Sequence, residues 1–248
     1  ALPILLIAPI KRYLPLSGTL MFVVDSSFQG LPMGLLYDGE DYLLKKYSIA
    51  VGLNSQLQQP QLLQQEDLRA LIAGISKKSP SFYAPNSPKN LTPLPSVETE
   101  VADIKANTVS AVELIDDEFT SQRFQTEMSN VDFPIVHITT HGQFSSDPEQ
   151  TVILAWDRTI NVKQMNSLLR NKNNQEITEL LVLSACQTAK GDQRSALGIA
   201  GVAAQAGART TVATLWLVEA QSTAELMGKF YLGLKQGLAK AEALRQAQ

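Results

Sequence analysis

The sequence predicts an α/β fold in which a mostly parallel β-sheet is covered by helices on both faces. Two apolar segments have the composition of strands buried on both faces of such a sheet. Residues 135–140 are largely β-branched, and residues 180–183 are uninterrupted aliphatic. Between the predicted strands, apolar residues recur at helical spacing. This is the order of βαβ units, whose crossovers are expected to be right-handed.

Before residue 135, predicted strands and helices alternate. Apolar runs predict strands at residues 20–24 and 109–115, whereas residues 68–75 fit either a helix or a strand ending near Gly74. Two helices are predicted from apolar residues at helical spacing: Val97, Val101 and Ile104 behind Ser96 as N-cap, and then Phe119, Phe124 and Met128. Residues 53–65 and the proline-rich residues 77–95 are predicted surface loops, the second being the better candidate for mobility.

The later elements follow from the same kinds of signal. Residues 152–162 predict a small hairpin, and a helix starting at Met165 leads back to the strand at residues 180–183. Residues 195–206 predict a helix rich in Ala and Gly, and residues 210–216 predict the next strand. The end of the chain predicts two helices: one with a capping box from Ser222 to Glu225, closed by Gly237, and another from Lys240 to Gln248.

Composition excludes several classes of function. The chain has 248 residues, of which 44% are hydrophobic, enough for a substantial core in one or two lobes. A net charge of −3 provides no electrostatic footprint for nucleic acid or for an anionic membrane. A single cysteine rules out an intrachain disulfide and fits a reducing compartment, so the cytoplasm is the expected location.

The chain opens with an apolar run that ends at Ile10. This run is too short to span a bilayer, and it lacks the basic flank that precedes a signal-peptide core. The first residue is Ala1 rather than an initiating methionine. We therefore expect a piece of a longer chain, whose first residues pack onto the core.

Two reactive side chains follow the two most apolar strands. His141 and Cys186 each come directly after such a strand, and ligands and reactive groups gather at the carboxyl ends of parallel strands. A cysteine is partly thiolate near neutral pH, and an adjacent imidazole can raise that fraction and later protonate a leaving amine. The backbone N–H of Gly142, together with that of Cys186, could bind the oxyanion of a tetrahedral intermediate. The pattern predicts nucleophilic catalysis.

The second histidine of the chain is predicted to be structural. His137 lies inside the predicted strand, where a buried ring is expected to make a structural hydrogen bond. A shared metal ion is excluded by distance, because four strand residues separate His137 from His141 by about 13 Å, too far to bind one ion. We therefore expect no metal site.

The motifs around these residues resemble a known family. Ala185-Cys186-Gln187 follows His141-Gly142 by 45 positions (186 − 141), a spacing close to the caspase signature. Five stretches together resemble the CHAT domain, a caspase-like peptidase domain found with tetratricopeptide repeats and related to separases: residues 184–192, 197–201, 206–209, 214–216 and 230–231. The resemblance runs from about residue 20 to the last residue.

The resemblance implies a caspase-like three-layer sandwich with a non-catalytic lobe at residues 1–92 and a catalytic lobe at residues 93–248. The last strand of the family pattern is absent from the catalytic lobe. It also implies a cysteine endopeptidase acting on a protein substrate through a Cys186–His141 dyad, without a cofactor. No acidic third member is expected, since family relatives generally orient this histidine by a backbone group. The expected regulators are tetratricopeptide repeats in the same or a partner chain. An inactive or signal-gated interaction module remains the alternative, and an esterase or acyltransferase is a third.

The resemblance also suggests a specificity. Separases and related proteins bind a basic P1 side chain with an acid that follows the strand ending in Leu-Trp, where this chain has Glu219. Asp192, after the nucleophile, is the second candidate. An acid close to a helix N-terminus can instead interact with the helix dipole, and Glu219 fits that role as well. Arg or Lys is the expected P1 residue.

Overall fold

The protein is described by a computed structural model covering residues 6–25, 28, 31–52, 62–145, 147, 149–169, 178–185, 207–214 and 218–248. Its centre is a five-stranded sheet of order β10-β9-β5-β3-β4, in which all neighbouring strands are parallel. These strands are β3 (Arg69–Gly74), β4 (Ser110–Ile115), β5 (Ile135–Thr139), β9 (Leu180–Ser184) and β10 (Thr211–Ala213). Cys186, Asp192 and the helix predicted at residues 195–206 lie outside the described residues.

Helices cover both faces of the sheet, which confirms the predicted three-layer α/β sandwich. One face packs against three helices: α2 (Ser96–Ala106), α5 (Ala220–Lys235) and α6 (Lys240–Ala247). The other face packs against two helices and a small antiparallel sheet. These are α3 (Ser121–Asn130), α4 (Val162–Leu169) and the strands β6 (Gly142–Gln143), β7 (Val152–Leu154) and β8 (Thr159–Asn161). The β7–β8 pair is the hairpin predicted from the sequence.

Strand β5 shows why a central strand can carry apolar residues on both of its faces. Val136 and Ile138 pack into the core on the α3–α4 side, while Ile135 packs on the α2–α5 side. All five residues of β5 are buried. A strand covered on both faces has no solvent side, so the alternation of apolar and polar residues disappears.

The ambiguous segment at residues 68–75 is a strand. β3 lies between β4 and β5, and residues 70–73 are completely buried. Its Leu and Ala residues would suit a helix, but pairing with strands on both sides supplies its backbone hydrogen bonds and decides the outcome. The lobe boundary between residues 92 and 93 stays a prediction, and the chain before it already contributes β3 to the central sheet.

Two predicted helix starts are wrong. Ser96 is the first residue of α2, whose N-cap is Pro95 and has no side-chain hydrogen bond. α5 begins at Ala220, before the predicted capping box, because the carboxylate of Glu219 already accepts hydrogen bonds from the first backbone N–H groups of the helix. The end of α5 is as predicted, since Gly237 follows it with a φ of +83°.

Two parallel strands that precede the central sheet in the sequence form a separate small sheet. It consists of β1 (Gly18–Val23) and β2 (Tyr47–Gly52), with the short helix α1 (Leu43–Lys46) leading into β2. β2 lies against α6, where Ser48 Oγ donates a hydrogen bond of 2.6 Å to Glu242. In the part of the chain that the structure describes, no helix has both the length and the apolarity needed to cross a membrane.

Candidate active site at the carboxyl edge of the sheet

The strands that lead to His141 and Cys186 are direct neighbours. In the β5–β9 register Thr139 pairs with Ser184, and the Thr140 N–H donates to the Ser184 carbonyl at 3.2 Å. The pairing therefore continues one residue past the end of β5. Cys186 follows two residues after Ser184 and lies outside the described residues.

Gly142 lies against the segment that approaches the cysteine. A Cβ atom on Gly142 would stand 3.2 Å from Ala185 Cβ and 3.2 Å from the Val152 carbonyl oxygen, so a side chain at residue 142 would push these neighbours apart by a few tenths of an ångström. Gly142 is buried and pairs with Ile153.

The hydrogen-bond pattern of β6 sets the direction of the Gly142 N–H. The Leu154 N–H donates to the His141 carbonyl at 2.9 Å, so this pair is hydrogen-bonded across β6 and β7. Along an antiparallel strand, the N–H and C=O groups of successive residues point alternately toward and away from the partner strand. The next residue, Gly142, therefore points its N–H away from β7. This direction suits a donor to a substrate oxygen.

One backbone carbonyl holds the imidazole of His141. Its Nε2 lies 2.7 Å from the Thr92 carbonyl oxygen. A carbonyl can only accept, so Nε2 donates its proton in this contact and Nδ1 is the unprotonated nitrogen of the neutral ring. Among the described residues, Nδ1 has no hydrogen-bond partner. Within the described part of the chain, the unprotonated Nδ1 is thus available as a base.

An aromatic side chain completes the setting of His141. The Phe82 ring contacts the imidazole edge-to-face, with 5.2 Å between the centroids and an angle of 82° between the planes. Phe82 and Thr92 both belong to the loop predicted at residues 77–95, so this loop holds the ring from two sides. The imidazole is half-buried as a result.

Burial is the larger influence on His141 and lowers its pKa from the ordinary value, because the neutral ring is easier to bury than the charged one. The hydrogen bond to Thr92 acts in the opposite direction and is the smaller effect. The neutral form, which can accept a proton from a thiol, is thus favoured to a lower pH than in a free histidine.

His137 has the structural role predicted for it. Its ring is fully buried, with Nδ1 3.1 Å from the Tyr231 hydroxyl and Nε2 3.1 Å from Glu100 Oε1. Both ring nitrogens are therefore used inside the core. Among the described residues no group of three or more His, Cys, Asp or Glu side chains is arranged to bind a metal ion.

Glu219, the first candidate for P1 recognition, is exposed at the start of α5. Its carboxylate accepts from the Ser222 N–H at 2.8 Å and from the Ser222 hydroxyl at 2.7 Å. The Ser222 hydroxyl and then the backbone N–H groups of Ser222 and Gln221 lower its pKa. The helix-terminus role considered from the sequence is therefore present. Asp192, the second candidate, lies outside the described residues.

A model of the CHAT domain family matches residues 1–248, the whole chain. The chain belongs to this family. CHAT domains are related to caspase-like peptidases, in agreement with the layered α/β architecture. A search of curated proteins found no match.

The sequence did not identify the residues that make two contacts with His141 in this CHAT domain. Thr92 holds His141 through a backbone carbonyl, a group that every residue carries and no motif can mark. Phe82 lies 59 positions before His141 (141 − 82), in a stretch whose prolines predicted only a surface loop. The prolines were the available signal, because they restrict the backbone conformation of the loop that holds the ring.

Proposed function

We propose that this CHAT domain is a cysteine endopeptidase that cleaves a protein substrate with Cys186 as nucleophile and His141 as base. The observation that carries the proposal is the hydrogen bond between His141 Nε2 and the Thr92 carbonyl. It leaves Nδ1 as the proton acceptor of a ring that follows β5, and β5 pairs with β9, the strand that precedes Cys186 in the sequence.

The proposed reaction has two stages, formation and hydrolysis of a thioester. Nδ1 of His141 takes the thiol proton while the sulfur bonds to the carbonyl carbon of the substrate. The N–H groups of Gly142 and Cys186 bind the resulting oxyanion. The imidazolium then returns its proton to the leaving amine as the C–N bond breaks, which leaves a thioester. Water, deprotonated by His141, hydrolyses the thioester and restores the thiol.

The proposal also covers the specificity of the site and its regulation. A basic P1 side chain would meet the exposed carboxylate of Glu219, with Asp192 as a second acid. Tetratricopeptide repeats in the same or a partner chain would regulate access to the cleft in the cytoplasm, because repeat arrays present concave surfaces that can bind a protein partner.

The dyad is tested by the reactivity of the single cysteine. We expect iodoacetamide to alkylate Cys186 faster in the folded protein at pH 6 than in the same protein unfolded in urea, because Nδ1 accepts the thiol proton only in the fold. His141→Ala should abolish the difference. A folded protein whose thiol reacts no faster than the unfolded one would refute the dyad.

Peptidase activity is tested with peptidyl electrophiles that differ only in the residue before the reactive group. We expect labelling of Cys186 by the probes with Arg or Lys at that position, and no turnover of the matching peptides by Cys186→Ala. A thiol that reacts with iodoacetamide but with none of the peptidyl probes would instead indicate an interaction module with a caspase-like fold.

A further inference from the structure

Asp116 has a demanding backbone conformation for a residue with a side chain. It follows β4 directly, is buried, and has a φ of +54°, a left-handed conformation that Asp tolerates better than most residues. Strain of this kind persists where the surrounding structure holds it, and it concentrates at functional sites. Asp116 makes no contact with His141, so its role has to be sought in what its carboxylate binds.

The carboxylate of Asp116 holds the first residues of the loop that follows β3. It accepts hydrogen bonds from the Ser76 N–H at 2.8 Å, the Lys77 N–H at 3.0 Å and the Ser76 hydroxyl at 3.0 Å. The Lys77 ammonium lies 3.0 Å from the same carboxylate. Burial opposes ionisation, but the contacts with Lys77 and Ser76 outweigh it, and the pKa of Asp116 lies below its ordinary value.

Ser76 also forms a hydrogen bond with the far end of the same loop. Its carbonyl accepts a hydrogen bond of 2.8 Å from the Leu94 N–H. Leu94 is two residues after Thr92, and Pro93 stands between them. Proline fixes its own φ and restricts the residue before it to extended conformations. Few backbone torsions between Leu94 and Thr92 are therefore free, so the position of Leu94 restricts the direction of the Thr92 carbonyl.

We propose that Asp116 is a positioning residue of the active site, which fixes the imidazole of His141 through Ser76, Leu94 and the Thr92 carbonyl. The connection is continuous, because Thr92 lies 2.7 Å from His141 Nε2. The proposal rests on the proposed peptidase function only where activity is measured. The ring orientation and tautomer of His141 can be measured without a substrate.

Asp116→Asn in the full chain is the test variant. Asn keeps the size of the side chain and tolerates a positive φ, but it replaces one acceptor oxygen with an NH₂ group that faces N–H donors. Asp117→Asn is the matched control. Asp117 is the next residue, is exposed, and undergoes the same change of charge.

The first readout is the ¹⁵N spectrum of the His141 ring. Wild type and Asp117→Asn should show the tautomer with the proton on Nε2, whereas Asp116→Asn should show a mixture of both tautomers. Iodoacetamide alkylation of Cys186 at pH 6 should slow in Asp116→Asn alone. These measurements remain valid even if wild type cleaves no peptide, so they separate failure of this proposal from failure of the proposed function.

The second readout is turnover. If wild type cleaves peptides, Asp116→Asn should lower kcat by between about 10- and 100-fold, the effect of a misplaced catalytic group, with little change in KM. A lower thermal midpoint with an unchanged tautomer and alkylation rate would overturn the proposal, because Asp116 would then act only in stability. If Asp116→Asn does not fold, Ser76→Ala carries the same test by removing the Ser76 hydroxyl, which contacts Asp116 at 3.0 Å and Glu98 at 3.3 Å. An unchanged tautomer in that variant would overturn the proposal.

Discussion

The two histidines of the chain are four positions apart, yet their surroundings have opposite character. His137, in the middle of β5, is fully buried and has a side-chain partner at each ring nitrogen, one from α2 and one from α5. His141, just past the end of β5, is half-buried and held at one nitrogen by a backbone carbonyl.

The difference shows that the position of a histidine along its strand decides which partners its ring nitrogens can find. In the middle of a covered strand, helices pack on both faces, and a polar ring must find partners for all of its polar atoms. At the carboxyl edge a loop supplies the partner of Nε2, and among the described residues Nδ1 has none. A ring with both nitrogens bonded stabilises the fold, whereas a ring with one open nitrogen can move a proton.

The largest expected effect is on stability, from His137→Ala. Removal of this ring leaves Glu100 Oε1 and the Tyr231 hydroxyl without their buried partner, and we expect the free energy of unfolding to fall by about 3–5 kcal/mol. Urea unfolding followed by circular dichroism measures the loss. Tyr231→Phe removes one hydroxyl from the same cluster and should cost about 1 kcal/mol.

His141→Ala is the matched variant on the same segment. Because its ring is half-buried and has one hydrogen bond among the described residues, we expect a loss below about 1 kcal/mol, together with loss of the fast alkylation proposed for Cys186. Equal losses of stability in the two alanine variants would contradict the assignment of a structural role to His137 and a catalytic role to His141.

Much of this contrast could be predicted from the sequence. The strands β5 and β9 are marked by composition, and the rule that reactive groups gather at carboxyl edges led from those strands to His141 and Cys186. The cluster around His137 could not be specified, since Glu100 and Tyr231 are 37 and 94 positions from it. Thr92 and the Asp116–Ser76 contact were hidden for the same reason: they join backbone groups and side chains that only the fold brings together.

The next effect concerns pH. The pKa of His141 is lowered in the folded protein, mainly by burial, from an unfolded value of about 6.5. The unfolded state therefore binds more protons as pH falls through 6.5, so the contribution of this residue to stability decreases until the folded pKa is passed and stays at its lower value below it. For the same reason, the acid limb of kcat/KM should have its midpoint below pH 6.5.

An NMR titration of the ring measures this pKa directly. With two histidines in the chain, the His141→Ala spectrum identifies the resonance that belongs to His141. The stability difference between wild type and His141→Ala, followed from pH 8 to pH 5, should shift against wild type below pH 6.5. A ring that titrates at or above 6.5 would contradict the burial argument.

The smallest expected effect belongs to Glu219, where the cap of α5 and the proposed recognition of a basic P1 residue use one carboxylate. As a cap, its lowered pKa contributes stability above its ordinary pKa of 4.5, and this contribution is lost as pH falls through the folded value. Glu219→Ala should therefore lower the thermal midpoint at pH 7, and the difference from wild type should vanish in acid.

Specificity is separated from capping by Glu219→Gln, which removes the charge but keeps an acceptor for the Ser222 N–H. We expect kcat/KM for Arg at P1, relative to a neutral residue of similar length, to fall by about two- to fivefold, the scale of a solvent-exposed charge pair. Glu225→Gln, an exposed acid one to two turns further along α5, is the control and should leave the ratio unchanged. If both variants keep the wild-type ratio, Glu219 only caps the helix, and any preference for a basic P1 residue has to come from another acid.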